Sequence, residues 1–424
     1  MDITIQPTQL GGTVQVPPSK SISHRALICA ALAAGTSAVE NLLVSEDITA
    51  TCEILKQIGA GIENINGSEQ TFQVTGRKPA VCDELTLDCH ESGSTLRFLM
   101  PLATLCAKRV TFVGRGRLPE RPLLPYRDIF KAAGIKWEAQ SEKVLPLTLE
   151  GAMRPGDYEM SGNVSSQFIS GLLFALPLLD QPSTLTITTV LESRPYVDLT
   201  LNVLAHFGIE IEASEDRRHY SIPGKQHYKP AQYQVEGDFS QAAFWLAMGV
   251  NGKGIRCTGL PQKSFQGDSA IIDLIRQMGG EVVWEDGAWA AKSSGRHGIT
   301  MDVAQCPDLM PVLAVLAATA EGKSKITGAG RLRLKESDRL TAMAELLRQL
   351  GIRVEEAPEG MTIWGKAQLQ GGAVDTVNDH RIAMAAAVAS ERCSDPLTVQ
   401  GAEAVRKSYP DFWDDFKRSG GIIA

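Results

Sequence analysis

Six times along the chain an amphipathic helical stretch stops at a glycine that leads into an extended run: Gly59, Gly134, Gly208, Gly279, Gly351 and Gly420. The interval is about 70 residues each time, and the flanking text recurs as QIGAGIENI, KAAGIKWEA, HFGIEIEAS, QMGGEVVWE, QLGIRVEEA and RSGGIIA. Self-similarity at a steady period means that the fold is assembled from copies of one supersecondary unit. A glycine at each stop suits the left-handed residue that closes a helix. After the first five stops a polar turn leads to a second strand-like run, so the unit ends in a β-hairpin.

Each unit opens on a polar turn that runs straight into an Ala/Leu-rich helix: SKSISHRALICAALAAG, ESGSTLRFLMPLATLCA, SGNVSSQFISGLLFALPLL, EGDFSQAAFWLAMGV, PDLMPVLAVLAATAEG and VNDHRIAMAAAVASER. A small-residue strand and a loop then connect to the second helix, which gives strands and helices in alternation and an α/β class of βαβαββ-type units. The length of 424 residues exceeds what one hydrophobic core usually supports, so two domains of three units each are expected. The sixth copy is cut short at Ala424, where the others begin their hairpin, and DITIQPTQLGGTVQV near the start has the missing alternation. One domain is therefore expected to comprise residues 18–234 and the other residues 1–17 plus 235–424, with chain crossings near Pro17 and Val235.

Composition narrows the function. Hydrophobic residues make up 43% and charged residues 21%, an ordinary globular mixture, and no apolar stretch reaches bilayer-spanning length. The first residues, MDITIQPTQLGGTVQV, lack the marks of a signal or transit peptide, so a cytoplasmic protein without membrane partners is expected. A net charge of −7 argues against broad nucleic-acid binding. Eight cysteines without a C-x-x-C pair suit reduced thiols, and no metal is implied.

The polar openings are the candidate working loops. Lys20, Ser21, Ser23, His24 and Arg25 stand at the front of a helix, where free N–H groups and the dipole favour an anion. An isolated S-K-S is equally an N-cap followed by solvated cations, but cations at helix N-terminal positions oppose the dipole. A Walker-type loop fails, because Pro17 and Pro18 replace the glycine next to the lysine, and GRGRLPERP lacks dinucleotide-fingerprint spacing. Ser165, Ser166 and Gln167 offer hydroxyl and amide groups, whether as caps or as ligands. In RLRLKESDR, Arg331, Arg333 and Lys335 fall at alternate positions of an expected extended run, with Arg339 at a helix start. Either an anion or the neighbouring Glu336 and Asp338 would relieve this crowding. Asp308 opens a helix beside Pro307, where an ionised carboxylate is stable and can act as a base. Asn378, Asp379, His380 and Arg381 start the sixth unit's helix, and Arg406 and Lys407 follow. Gly93 permits close backbone approach, and Arg121 lies in a Pro-rich loop able to cover a ligand.

In this order, PSKSISHR, SGSTLR, ERP, SSQF, SRPY, PDLMPVLA, KESDR, NDHR and KSYPDF resemble the 5-enolpyruvylshikimate-3-phosphate synthase family, from Pro18 to the VRKSYPDFW beginning at Val405. The resemblance implies transfer of the enolpyruvyl group of phosphoenolpyruvate to the 5-hydroxyl of shikimate 3-phosphate, without a cofactor. It implies two similar three-unit domains, an inside-out α/β barrel arrangement with an interdomain cleft, working as a monomer. Carried over by motif, Lys20, Ser21, Arg25, Ser165, Ser166, Gln167, Ser193, Tyr196, Asp308 and Lys335 would hold shikimate 3-phosphate. Lys20, Gly93, Arg121, Gln167, Arg339, Arg381 and Lys407 would hold phosphoenolpyruvate. Asp308 would accept the hydroxyl proton and Glu336 would exchange one with the enolpyruvyl methylene, flanked by Lys20 and His380. Glu91, Phe98 and Arg331 depart from the family pattern. Two rivals remain on the sequence. One is the sister transferase acting on UDP-N-acetylglucosamine, whose loop before Arg-Pro usually carries a Cys or Asp that Gly114–Arg121 lacks. The other is a non-catalytic repeat protein that binds phosphorylated metabolites.

Overall fold

The computed structural model describes residues 1–65, 70–139 and 144–424. Each repeat contributes an inner and an outer helix: α1 (Lys20–Leu32) and α2 (Glu46–Gln57), α3 (Gly93–Ala103) and α4 (Leu124–Ala132), α5 (Ser166–Ala175) and α6 (Arg194–His206). The series continues with α7 (Phe239–Asn251) and α8 (Ile271–Gln277), α9 (Met310–Ala318) and α10 (Arg339–Gln349), α11 (His380–Ser390) and α12 (Phe412–Arg418).

The six glycines do the same job each time. Every outer helix ends in a capping residue followed by its glycine at positive φ: 106° at Gly59, 78° at Gly134 and Gly208, 91° at Gly279, 79° at Gly351 and 99° at Gly420. The paired closing bonds, such as Gly59 N to Lys56 O at 3.0 Å with Ala60 N to Leu55 O at 3.0 Å, recur at all six ends. This is the Schellman arrangement, which satisfies the orphan carbonyls of the last turn and turns the chain into the next strand.

Each repeat has its own four-stranded sheet. In the second, Cys82–Asp88 runs parallel to Ala107–Val113 across α3, with Leu85 opposite Val110. Leu147–Glu150 then pairs antiparallel with Ala107–Val113 on one side and with Lys136–Ala139 on the other. The hairpin turns of the first two repeats lie outside the described residues.

The chain divides into two compact units, Pro18–Val235 and Met1–Pro17 with Glu236–Ala424. Each encloses a separate hydrophobic core. Ile3–Gln6 pairs antiparallel with both Leu397–Gln400 and Ile422–Ile423, and so supplies the fourth strand of the sixth repeat. The rest of the N-terminal segment does something else. Gly12–Gln15 pairs parallel with Ile255–Thr258 and opens the fourth repeat, while Gln232–Gln234 pairs parallel with Gly35–Glu40 and opens the first. The first repeat of each unit therefore takes its opening strand from the chain segment that precedes the other unit's first helix.

The inner helices are buried on all sides. α9 reads MPVLAVLAA with every residue buried, and α7 and α11 are also buried throughout. These three pack against one another, and a helix without a polar face is stable only inside such a core. Their polar residues are therefore confined to their ends, where function can use them.

At the far end of α11, Glu391 is 6% exposed and accepts the Leu10 N–H at 2.8 Å, which ties down the crossing segment. Burial pushes its pKa up to about 8, against the pull of the Leu10 N–H, Arg392 and Arg296. From about pH 4.5 to 8 the folded carboxyl keeps a proton that the unfolded chain loses, so stability falls as pH rises through that window. Glu391→Gln keeps the acceptor and removes the ionisation. It is expected to raise Tm by about 4 °C at pH 9 and to change it little at pH 5, as read by thermal melts. A gain as large at pH 5 would contradict this account.

Candidate active site

In the Glu236–Ala424 unit the starts of α9, α10 and α11 bring their charged residues together. Asp308 lies in the single 3₁₀ turn Pro307–Leu309 that leads into α9. Its Oδ1 is 2.9 Å from an Arg339 guanidinium nitrogen and 3.7 Å from Lys335 Nζ. Its Oδ2 is 3.2 Å from Arg381, which also donates to the Asp308 carbonyl at 3.1 Å. Arg339, the first residue of α10, is 1% exposed and serves three carboxylates. Besides Asp308 it donates from Nε to Asp379 Oδ2 at 2.8 Å and sits 2.7 Å from Glu336 Oε2.

Asp379 is the N-cap of α11, accepting the Arg381 N–H at 2.9 Å and the Ser337 hydroxyl at 2.9 Å. The capping position fixes its carboxylate, and the carboxylate in turn fixes Arg339. His380 is 1% exposed, with Nδ1 3.8 Å from Asp379 Oδ1. Lys407, at the end of the 3₁₀ helix Ala402–Lys407, donates to the Asn378 carbonyl at 2.9 Å.

The electrostatics follow from this packing. Burial works against the charge on Asp308, but Arg381, Lys335 and Arg339 outweigh it and hold the carboxyl well below the usual carboxylate range. Asp379 is likewise lowered: burial opposes its charge, and Arg339 and then His380 prevail. Burial brings Lys335 down to about 8, with Asp308 and Glu336 opposing and Arg339 and Arg331 assisting. Asp308 and Asp379 are thus held ionised among cations, one of which, Lys335, is brought down to about 8.

The RLRLKESDR run differs from its expectation. Gly330–Leu334 is a 3₁₀ helix, not an extended segment, so Arg331, Arg333 and Lys335 point in different directions. Arg333 pairs with Asp338 at 3.1 Å and Glu356 at 2.8 Å, and Arg331 donates to the Ala304 carbonyl at 2.7 Å. Carboxylates and a carbonyl relieve the crowding, and Lys335 reaches Asp308.

In the Pro18–Val235 unit a second set forms at the starts of α1, α3, α5 and α6. Lys20, the first residue of α1, meets Asp47 of α2 at 2.8 Å. Arg25 is 1% exposed and donates to the Ser21 carbonyl at 2.7 Å, the Tyr196 carbonyl at 3.0 Å and Thr200 Oγ1 at 2.8 Å. Its guanidinium also lies 4.8 Å from the Phe98 ring. Arg25 therefore clamps α1 to α6, and so fixes Ser21 relative to the SRPY turn. Ser193 caps α6 in the left-handed region at φ 54°, a costly conformation for a residue with a Cβ. Ser165 caps α5 by accepting the Gln167 N–H at 3.3 Å, and Ser166 begins the helix.

The Gln167 side chain bridges two partners, accepting from Arg97 at 2.8 Å and donating to Ser94 Oγ at 2.9 Å. Gly93 opens α3 directly against Arg121. A Cβ there would come within 2.6 Å of a guanidinium nitrogen and 2.8 Å of Cζ, so only glycine leaves Arg121 where it is. Arg121 itself is 6% exposed.

Each sequence-named residue thus falls into one of two groups. Asp308, Lys335, Glu336, Arg339, His380, Arg381 and Lys407 gather in one unit; Lys20, Ser21, Arg25, Gly93, Ser165, Ser166, Gln167, Ser193 and Tyr196 lie at or near the helix starts of the other, with Arg121 reaching Gly93 from the turn after Leu118–Glu120. Sequence reasoning passed over Asp47, Arg97 and the anchoring part played by Asp379. Arg97 and Asp379 stand within the quoted SGSTLR and NDHR, and the cap position of Asp379 is the signal that was available.

Comparison with known proteins bears on the whole chain. The family described as EPSP synthase (3-phosphoshikimate 1-carboxyvinyltransferase) matches residues 5–416. The 3-phosphoshikimate 1-carboxyvinyltransferase of Clostridium novyi is 48% identical, over 100% of this chain and 98% of its own length. That of Clostridium kluyveri is also 48% identical, over 99% and 98%. Among solved structures, EPSP synthase from Acinetobacter baumannii superposes with a TM-score of 0.80 at 26% identity, covering 100% of this chain and 99% of the other. The enolpyruvyl transferase NikO from Streptomyces tendae, at 20% identity and a TM-score of 0.78, shares the fold. With a family match over nearly its whole length and relatives at almost half identity, this chain belongs to the EPSP synthase family.

Proposed function

We propose that the protein transfers the enolpyruvyl group of phosphoenolpyruvate to the 5-hydroxyl of shikimate 3-phosphate and releases inorganic phosphate, a step on the way to chorismate and the aromatic amino acids. The observation that carries the reading is Arg339, which holds Asp308, Glu336 and Asp379 on one guanidinium beside Arg381 and Lys335. Two carboxylates on one cation, in different company, can divide two proton transfers.

In the proposed reaction the 5-hydroxyl oxygen attacks C2 of phosphoenolpyruvate and its proton passes to Asp308. C3 gains a proton in an exchange that involves Glu336, which gives a tetrahedral intermediate. The C2–O bond to phosphate then breaks, phosphate leaves with the electron pair, and C3 returns its proton to restore the double bond. Arg121, Arg339, Arg381 and Lys407 offset the charge of phosphoenolpyruvate and of the departing phosphate, while Lys20 and His380 flank the carboxylates. Ser21, Arg25, Ser165, Ser166, Gln167, Ser193, Tyr196 and Lys335 hold shikimate 3-phosphate. Asp308 is a weak base while Arg381, Lys335 and Arg339 face it, so binding of the anionic substrate raises its basicity by offsetting their charge.

The reading takes in the finer architecture that the family resemblance implies, an inside-out α/β barrel of domains 18–234 and 1–17 plus 235–424 with the substrates taken between them. It also takes in a cytoplasmic monomer that works without a cofactor.

The test is phosphate release from phosphoenolpyruvate with either shikimate 3-phosphate or UDP-N-acetylglucosamine as acceptor. Release with the first alone is expected, and release only with the second would overturn the reading. Lys335 adds a pH signature. With its pKa near 8, kcat/KM for shikimate 3-phosphate is expected to fall as pH rises through about 8, because the neutral amine no longer attracts the phosphate. Lys335→Arg, charged throughout, is expected to lose that inflection; an unchanged profile would count against the role given to Lys335.

A further inference from the structure

Behind Lys20 and Gly93, a run of buried polar side chains crosses three helices of the Pro18–Val235 unit. His24 Nδ1 of α1 meets Thr51 Oγ1 of α2 at 2.8 Å, and Thr51 meets Thr95 Oγ1 of α3 at 2.7 Å. Thr95 donates to Ser92 Oγ at 2.7 Å, and that oxygen also caps α3 by accepting the Thr95 N–H at 3.2 Å. His24 is 1% exposed, and the other three are fully buried. Both threonines also approach the Asp47 carbonyl, at 3.4 and 3.3 Å, and the Asp47 side chain is the one that holds Lys20.

Valine at either threonine would fill the same space without needing a partner, so three hydroxyls and an imidazole buried together call for a reason beyond packing. A fully connected polar network fixes geometry more tightly than apolar contact does, since each bond has a direction as well as a length. One end of the run, His24, stands one turn after Lys20 in α1, and its middle lies against the carbonyl of Asp47, the residue that orients Lys20. The other is the cap of the helix whose first residue, Gly93, abuts Arg121.

We propose that His24, Thr51, Thr95 and Ser92 form a positioning relay that sets Lys20 and Gly93 in register with Arg121 for phosphoenolpyruvate, an inference that rests on the function proposed above. Each hydroxyl has one proton, so the short contacts determine the direction of the relay. Thr95 donates to Ser92 and must accept from Thr51; Thr51 must then accept from His24. His24 therefore carries its proton on Nδ1. Burial, and then the charges of Lys20 and Arg25, hold its pKa well below the ordinary range and keep the ring neutral.

Thr51→Val removes the middle of the relay and keeps its shape, whereas Thr51→Ser keeps the hydroxyl. The valine variant is expected to raise KM for phosphoenolpyruvate about tenfold, equivalent to about 1.4 kcal/mol, with kcat and KM for shikimate 3-phosphate within about threefold of wild type. The serine variant is expected to recover the wild-type KM. Nitrogen-15 NMR of the wild-type protein should show His24 as the Nδ1–H tautomer. An unchanged KM in the valine variant, an Nε2–H tautomer, or a uniform fall in all three constants that follows a lowered Tm would each overturn the relay. A wild-type protein that releases no phosphate with shikimate 3-phosphate would overturn the proposed reaction instead, and the tautomer would still report whether the relay has this direction.

Discussion

Asp308→Ala is expected to lower kcat by about a thousandfold while both substrates still bind, since general-base catalysis by a positioned carboxylate contributes on the order of 10² to 10⁴. The variant keeps Arg339, Arg381 and Lys335, which lose one shared counter-charge and become better anion binders. KM for phosphoenolpyruvate should therefore stay level or fall. Steady-state kinetics with both substrates varied will check this. Turnover within tenfold of wild type, or a KM that rises in step with the loss of kcat, would show that Asp308 serves binding and not proton transfer.

Arg339→Met is expected to have the largest effect on stability, because it leaves Asp379, Asp308 and Glu336 facing one another without their common cation. Breaking a buried ion pair from one side costs roughly 3–5 kcal/mol, which for a unit of this size corresponds to a Tm about 10 °C lower at pH 7. The pH dependence gives a second check. The folded Asp308 and Asp379 have lowered pKa values, so the stability they contribute is present above the unfolded carboxylate pKa and is lost as pH falls through the folded values. Protonation also removes the repulsion left by the substitution. The Tm gap should thus be widest near neutrality and narrow below about pH 4. A gap that persists undiminished in acid would point to lost packing of the arginine stem.

What the sequence made legible was local. The six helix-closing glycines could be read because a left-handed residue after a helix excludes most side chains, and the helix starts could be read from their caps and from the all-apolar text behind them. What it hid was partner choice over long distances. Gly12–Gln15 and Gln232–Gln234 are both short alternating runs that lead into a polar helix start, and nothing within either says which sheet it joins. The fate of Arg331 and Arg333 was hidden for a related reason. Their spacing suits a strand, but Asp338, Glu356 and the Ala304 carbonyl select a 3₁₀ turn from elsewhere in the fold. Most of the candidate site residues could be named from the sequence because they stand at or near helix starts. Their couplings, Lys20 to Asp47 and Gln167 to Arg97, join residues of different helices and appear only in three dimensions.

The proposal that the two carboxylates conduct an addition followed by an elimination is tested most directly in deuterium oxide, with carbon-13 at C3 of phosphoenolpyruvate and shikimate 3-phosphate as the acceptor. If C3 becomes a methyl group and then returns a proton, the product vinyl group will carry deuterium, visible by carbon-13 NMR. An enol ether formed with no deuterium at C3 would contradict that account.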